Sequence, residues 1–301
     1  MITLKDRILG SCYGAIFGDI VGAYNEFLTG SSIRKITMDM LRTECDVFRH
    51  PFGHFTDDTS CSLITMDAYD GSPRYDSAFF MKELRDWRDN GAYSSTGYCF
   101  DIGGATSRAI DGNPNTNEST GNGNGALMRM APVCISSYVR KESAAEVVQM
   151  AELTHPVVIS TQMCIKFFYY MFDVLEGKTK SQLRSSWNPM DIYSLEYTIK
   201  HQKKPDDTEL VPYPSPTGYV VDTLYWAVKV FLETDSYLEG LIRLAEMGDD
   251  SDTVCCVYGS LAGAYYGMEG VEEIPQDLRD RLAKKSFVDD TINRFVDKVL
   301  K

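Results

Sequence analysis

Apolar and small residues recur along most of this chain at spacings of three and four, the period of a helix rather than the alternation of a strand. From Leu4 the series Ile8, Leu9, Cys12, Ala15, Ile16 and Ile20 predicts a first helix. Gly14, Gly18 and Gly22 repeat every four residues on one of its faces, where either another helix packs closely or backbone approaches a ligand. The same periodicity predicts helices over residues 59–69, 78–87, 144–153, 157–175, 220–232, 237–247 and 253–266. A last one is expected over 276–300, with Pro275 suiting its start. Strand signals are thin and no strand–helix–strand alternation is visible, so the fold class is all-α.

Two stretches are irregular: 112–125, rich in Asn and Gly, and 203–218, which holds Pro205, Pro212, Pro214 and Pro216. Helices of similar character flank both, so neither reads as an interdomain linker, and residues 1–301 are expected to form a single domain. Charged residues are 24% and hydrophobic residues 44% of the 301, the profile of a folded soluble chain. Lys and Arg total 30 against 43 Asp and Glu, a net charge of −13, which argues against general nucleic-acid binding. The most apolar early stretch, 8–24, is short for a membrane span and carries Asp19, so no membrane association is expected. Residues 1–7 mix acid with base and show no secretory signal pattern. The eight cysteines include no CxxC pair and read as thiols of a reducing cytoplasm rather than a disulfide frame or zinc site.

Acidic residues cluster in three unusual contexts. Gly18-Asp19 is followed by Glu26 at the end of the glycine-lined helix. Thr56-Asp57-Asp58-Thr59 opens one helix, and Gly248-Asp249-Asp250-Ser251-Asp252-Thr253 precedes another. Ordinary helix capping accounts for either cluster taken alone. Together they offer carboxylates and hydroxyls, hard oxygen donors suited to Mg²⁺ or Mn²⁺ rather than zinc. Asp250 and Asp252 alternate around one residue, so both can turn toward one ion while Thr253 adds a hydroxyl. If Glu26, Asp57, Asp58, Asp250 and Asp252 share a pocket, like charges about 4 Å apart repel by roughly 4 kcal/mol per pair at an effective dielectric of 20. Two divalent ions would bring such a pocket close to neutrality.

Gly121-Asn122-Gly123-Asn124-Gly125-Ala126-Leu127-Met128-Arg129 runs glycines into an apolar segment. Amides there could hold a phosphate at a helix start, or the run could be no more than a flexible loop. It is neither a GxGxxG turn after a strand nor a P-loop. His155, in Thr154-His155-Pro156, sits at a helix junction, where ligand contact and a structural role are both open. His50 and His54 flank Pro51 and do not share a regular helical face, so they are not read as a metal pair.

In order along nearly the whole chain, these motifs resemble the ADP-ribosylglycohydrolase family, the dinitrogenase-reductase-activating glycohydrolase and ADP-ribosylhydrolase group. The resemblance rests on residues 14–22 with Glu26-Phe27, on Phe55-Thr56-Asp57-Asp58-Thr59, and on Gly123-Asn124-Gly125-Ala126-Leu127-Met128-Arg129 with Pro132. Gly218-Tyr219-Val220-Val221-Asp222-Thr223-Leu224 and then 248–253 complete it. It implies an all-α orthogonal helical bundle with a dinuclear Mg²⁺ or Mn²⁺ centre in a cleft that binds ADP-ribose. By that likeness Thr56, Asp57, Asp58, Asp250, Asp252 and Thr253 would ligate the two divalent ions. Glu26 would sit at their edge as ligand, acid/base or gate, and Glu26, Asp57 or Asp58 would take the proton of a water. Amides of Asn124, Gly125 and Ala126 would hold the diphosphate, with His155 and Tyr219 as further substrate contacts. The activity implied is hydrolysis of the bond between ADP-ribose and a modified protein side chain, most readily arginine. A non-catalytic ADP-ribose binder, a hydrolase of another ADP-ribose linkage and a metal phosphohydrolase are the alternatives. Asp249 departs from the family's usual glycine; it adds a charge and removes backbone freedom beside the expected metals.

Overall fold

The computed structural model describes residues 2–69, 73–206 and 208–301; Asp207, in the proline-rich stretch, lies outside them. Helices account for most of the described chain. They are α1 (Leu4–Gly22), α2 (Met38–Leu41), α3 (Asp57–Asp67), α4 (Ser77–Asn90), α5 (Gly104–Ile110), α6 (Ala131–Val139), α7 (Ala145–Glu152), α8 (Val158–Leu175) and α9 (Lys180–Ser186). The remainder are α10 (Met190–His201), α11 (Val220–Glu233), α12 (Tyr237–Ala245), α13 (Ser251–Val271), α14 (Gln276–Arg279) and α15 (Lys285–Val299). Among the described residues the one β-ladder is a two-residue antiparallel pair, β1 (Glu44–Cys45) with β2 (His50–Pro51). The all-α class follows.

The centre of the fold is the α1–α13 pair, and glycine sets its spacing. A Cβ on Gly10 would stand 2.3 Å from the Gly263 carbonyl oxygen. On Gly14 it would stand 2.3 Å from that of Gly259, on Gly18 2.1 Å from that of Cys255, and on Gly22 2.4 Å from that of Ser251. Each step of four forward in α1 is therefore a step of four back in α13, an antiparallel register held by backbone-to-backbone contact. Of the two sequence readings of the glycine stripe, helix packing is the one observed. Both helices are buried along most of their length. Around them the buried apolar side chains form one cluster running from Ile8 to Val296.

Two expected helices differ from the periodicity. α13 runs past residue 266 to Val271 but is interrupted at Gly267 (φ 69°, ψ −165°). Arg7 covers the break, its guanidinium donating to the carbonyls of Ala264 and Tyr265 at 3.0 and 3.2 Å. The segment expected as one helix over 276–300 is α14 and α15, separated where Lys284 takes a left-handed conformation (φ 51°). There the chain turns in to bond Gly53, with Ala283 N–H 2.9 Å from its carbonyl oxygen. The periodicity does not predict α2, α5, α6, α9 or α10; four of these have only four to nine residues, too few turns for a periodic pattern to stand out. All eight cysteines are free thiols. No helix of the described residues is long and apolar enough to cross a membrane.

Candidate active site

The antiparallel register brings the C-terminal end of α1 beside the N-terminal end of α13, and with them the acidic loops that follow and precede these helices. Asp19, fully buried, binds this junction to α3. Its carboxylate accepts from the Thr56 amide at 3.1 Å to each oxygen, from Thr56 Oγ1 at 2.9 Å, and from the amide and hydroxyl of Thr59 at 3.0 and 2.5 Å. It thus caps the N-terminus of α3 from another helix, where negative charge meets the orphan amides and the helix dipole. Desolvation outweighs these bonds and lifts the Asp19 carboxyl to about 6.

Glu26 and Asp250 reach the same space from two strained loops. Phe27 (φ 61°) and Asp249 (φ 58°) are both left-handed, and their loops pair through Phe27 N–H to Asp249 O at 2.7 Å and Asp249 N–H to Leu28 O at 2.8 Å. A bulky residue in this region of φ costs on the order of 1–3 kcal/mol and persists because the surroundings over-determine it. The result is that Glu26 points inward, 2% exposed, while the Phe27 ring stands out at 63%. Asp249 turns its own carboxylate away to accept from Ser215 Oγ at 2.9 Å.

Six carboxyls converge. Glu26, Asp250 and Asp252 place carboxylate oxygens within 4.8 Å of one another, and so do Asp57, Asp101 and Asp252. Asp58 lies behind them, its Oδ2 accepting from Thr253 Oγ1 at 3.2 Å and Thr56 Oγ1 at 3.3 Å, while Thr56 Oγ1 also approaches Asp252 Oδ2 at 3.3 Å. Thr56, Asp57, Asp58, Asp250, Asp252, Thr253 and Glu26 are therefore brought together, as the sequence clusters suggested. Asp101 is the residue that sequence reasoning missed. It sits alone in the loop between α4 and α5 at φ 52°, with no neighbouring acid or hydroxyl to mark it; only Gly103-Gly104 before a helix hinted at close approach. Ser95, whose hydroxyl donates to Phe55 O at 2.7 Å, pins that loop beside Thr56.

Burial and mutual repulsion set the electrostatics. Desolvation, then the charges of Asp101, Asp252 and Asp19, push the Asp57 carboxyl well above the ordinary range. Desolvation with Asp252 and Asp101 does the same to Glu26, and desolvation with Asp58 and Asp250 to Asp252. Asp58 is raised by burial and by Asp19 and Asp57. Asp250 is raised by burial, although Asn124 Nδ2 donates to its Oδ2 at 2.7 Å. Two oxygens, Glu26 Oε2 and Asp58 Oδ1, are buried with no hydrogen-bond partner. Among the described residues no lysine or arginine lines the adjoining cavity of about 260 Å³, whose walls include Glu26, Phe27, Asp57, Asp101, Asn124 and His155. Convergent hard-oxygen donors, orphaned carboxylate atoms and the absence of any lining cation fit divalent metal ions.

The glycine run departs from a helix-start cradle. It leads into a three-residue 3₁₀ turn (Leu127–Arg129) before α6, and it pairs with the segment ahead of α11. Asn124 N–H donates to Gly218 O at 3.1 Å and Val220 N–H to Asn122 O at 3.0 Å. The Asn124 amide is thus engaged within the protein; its side chain and Gly125 line the cavity, whereas Ala126 is fully buried behind it. Tyr219 lies outside the lining residues, its hydroxyl donating to Glu196 at 2.6 Å and its ring under Lys200. His155 is 2% exposed and lines the cavity, with Nε2 facing Gly123 and Gly125. Arg129, fully buried, donates to Thr154 Oγ1 at 2.7 Å, so the Thr154 hydroxyl proton is free to donate to His155 Nδ1, also 2.7 Å away. With Thr154 as that donor, the neutral ring carries its proton on Nε2, toward the cavity. Desolvation and Arg129 depress the ring to about 3, so it is neutral.

The sequence model described as ADP-ribosylglycohydrolase matches residues 1–301. The chain is 31% identical over 313 residues to the ADP-ribosylarginine hydrolase Tri1 of Pseudomonas putida (strain GB-1), spanning 94% of this chain and 81% of that protein. It is 29% identical to the protein of the same name from Serratia proteamaculans (strain 568), spanning 94% and 77%. It is 27% identical to the ADP-ribosyl-(dinitrogen reductase) glycohydrolase of Rhodospirillum rubrum, spanning 99% and 97%. Among solved structures, the chain of an ADP-ribosylglycohydrolase-related protein complex shares the fold, with a TM-score of 0.72 at 24% identity over 99% of this chain and 100% of that one.

Proposed function

The chain belongs to the ADP-ribosylglycohydrolase family, and on that premise we propose that it is a metal-dependent hydrolase releasing ADP-ribose from arginine side chains of modified protein. The observation that carries the reading is the convergence of Glu26, Asp57, Asp101 and Asp250 in the wall of one cavity, with Asp252 against them and, among the described residues, no cationic side chain in the lining. The arginine linkage is taken from the two relatives named for it.

Thr56, Asp57, Asp58, Asp250, Asp252 and Thr253 would hold two ions, Mg²⁺ or Mn²⁺. When bound, these would offset the carboxylate charge, orient the ribose hydroxyls and make a water more acidic. The side chains supply the rest. Breaking the ribose C1″–nitrogen bond develops oxocarbenium-like positive charge, which the carboxylate ring stabilises where it forms. Water adds at C1″ and gives up a proton to a carboxylate, and the departing guanidine nitrogen takes one. Asp58 is sealed behind the others, so we assign it to holding an ion. Proton transfer then falls to Glu26, Asp57 or Asp101, which face the cavity with raised pKa values. His155 Nε2–H would donate to an oxygen of bound ADP-ribose.

The test is incubation with arginine-ADP-ribosylated protein in Mg²⁺, in Mn²⁺ and in chelator, with released products separated by chromatography. Free ADP-ribose that depends on metal and is lost in Asp57→Ala and Asp252→Ala supports the proposal. ADP-ribose binding without release would make the chain a binder; release only from serine-linked substrate would move the linkage; release of AMP would make it a phosphohydrolase.

A further inference from the structure

Phe27, in the wall of the cavity, begins an aromatic row that the reaction described above does not use. Phe27, 63% exposed, packs edge-on against Phe48 at 6.2 Å between ring centroids. Phe48 meets Phe100 at 5.4 Å, and Phe100 meets His50 at 5.2 Å and Tyr98 at 6.1 Å. Three separate segments, the loop after α1, the β1–β2 turn and the loop before α5, thus supply one continuous row. Among the described residues that line the cavity, Phe27 is the one large apolar side chain that is also exposed. Asp101, next in sequence to Phe100, stands beside it at the mouth.

The left-handed backbone that turns Glu26 inward also holds Phe27 out beside the cavity, where it is 63% exposed. Its surroundings indicate a ligand. Glu26 and Asp101, the lining carboxylates outside the proposed ligand set, stand in the same cavity wall as Phe27, so this side of the cavity favours a cation. A planar, weakly hydrated cation such as guanidinium stacks on aromatic faces while its edge meets carboxylates. The leaving group of an arginine-linked substrate must pass this rim, because it remains attached to the target protein outside.

Resting on the arginine reading, we propose that Phe27, buttressed by Phe48 and Phe100 and flanked by Asp101, is a specificity determinant that stacks on the guanidinium of the modified arginine. A hydroxyl-linked target offers neither the plane nor the charge and gains nothing from the ring.

The test compares the wild type with Phe27→Leu, which keeps apolar bulk, and Phe27→Trp, which keeps the aromatic face. The probes are ADP-ribosylarginine, an arginine-modified peptide and free ADP-ribose as competing product. The expected result is a fall of about tenfold in kcat/KM for both arginine substrates in Phe27→Leu, carried by KM and restored in Phe27→Trp, within the range of a cation–aromatic contact. Inhibition by free ADP-ribose, which lacks the guanidinium, stays within twofold. Unchanged kcat/KM in Phe27→Leu, or an equal loss of ADP-ribose inhibition, overturns the proposal while leaving the hydrolase reading intact. A wild type that releases nothing from either arginine substrate overturns both.

Discussion

Substituting alanine at Gly18 tests whether the distance between two backbones sets the distance between two sets of carboxyls. The new Cβ would lie 2.1 Å from the Cys255 carbonyl oxygen and 2.6 Å from its carbon, both backbone atoms that cannot rotate aside. Non-bonded heavy atoms settle near 3.5 Å, so α1 and α13 must part locally by about 1.4 Å. Overpacking of this kind costs up to about 3 kcal/mol, and the better helix propensity of alanine returns about 1 kcal/mol, leaving a net loss near 2 kcal/mol. For a chain of this length that is a fall in melting temperature of about 3 °C. The functional effect should exceed the stability effect. Gly18 adjoins Asp19, which caps α3, and Cys255 is one turn from Asp252, so the separation falls between the two halves of the acidic ring. A misplacement near 1 Å costs on the order of 10²-fold in rate.

Gly10→Ala provides the comparison. Its Cβ would stand 2.3 Å from the Gly263 carbonyl oxygen, a clash of similar severity, but about 12 Å further along the helix from the site. Calorimetry and steady-state release of ADP-ribose, both measured well below the melting range, separate the effects. Both variants should lose stability and only Gly18→Ala should lose most of its kcat/KM. Wild-type melting in Gly18→Ala, or equal activity losses in the two variants, would refute the reasoning.

Three further outcomes follow from the site. Mg²⁺ or Mn²⁺ should raise the melting temperature, and more at pH 8 than at pH 5: carboxyls with raised pKa values bind protons in place of metal at the lower pH, and Asp252→Asn should abolish most of the gain. Asp101→Asn removes a like charge from the ring, so the metal-free variant should melt no lower than wild type, yet kcat should fall on the order of 10²-fold or more if this carboxyl transfers a proton. His155 titrates near 3 folded against about 6.5 unfolded, so the unfolded chain binds more protons and the stability it contributes is complete above about 6.5 and lost as pH falls toward 3. At pH 4 that loss is about 3 kcal/mol, and denaturant titrations of His155→Gln should show a correspondingly flatter decline with acid; parallel curves would contradict the buried neutral ring.

What could be read without coordinates was whatever announced itself locally. Thr56-Asp57-Asp58 and Asp250-Ser251-Asp252-Thr253 each precede an apolar helix, so hydroxyl and acid stand together before any tertiary contact exists. The glycine spacing of α1 announced a close approach, although only the fold shows that a helix rather than a ligand makes it. Asp101 carries no such mark, because what qualifies it is the folding of its loop onto Phe55, a contact between residues 40 apart. The Asn124 amide illustrates the converse. Its glycine-rich context suits anion binding, but a strand-like pairing with Gly218, distant in sequence, uses that donor first.

Asp249 shows how a local departure is absorbed. The backbone there must be left-handed to exchange hydrogen bonds with Phe27 and Leu28, which explains why glycine suits the position and why an aspartate, a residue that tolerates this region, can replace it. Its added charge goes to Ser215 rather than into the cavity, whose lining does not include it. The loop therefore keeps Glu26 and Asp250 facing each other at the cost of a strained backbone. The substitution that would disturb the site is one at Asp249 that refuses positive φ, such as valine, rather than a return to glycine.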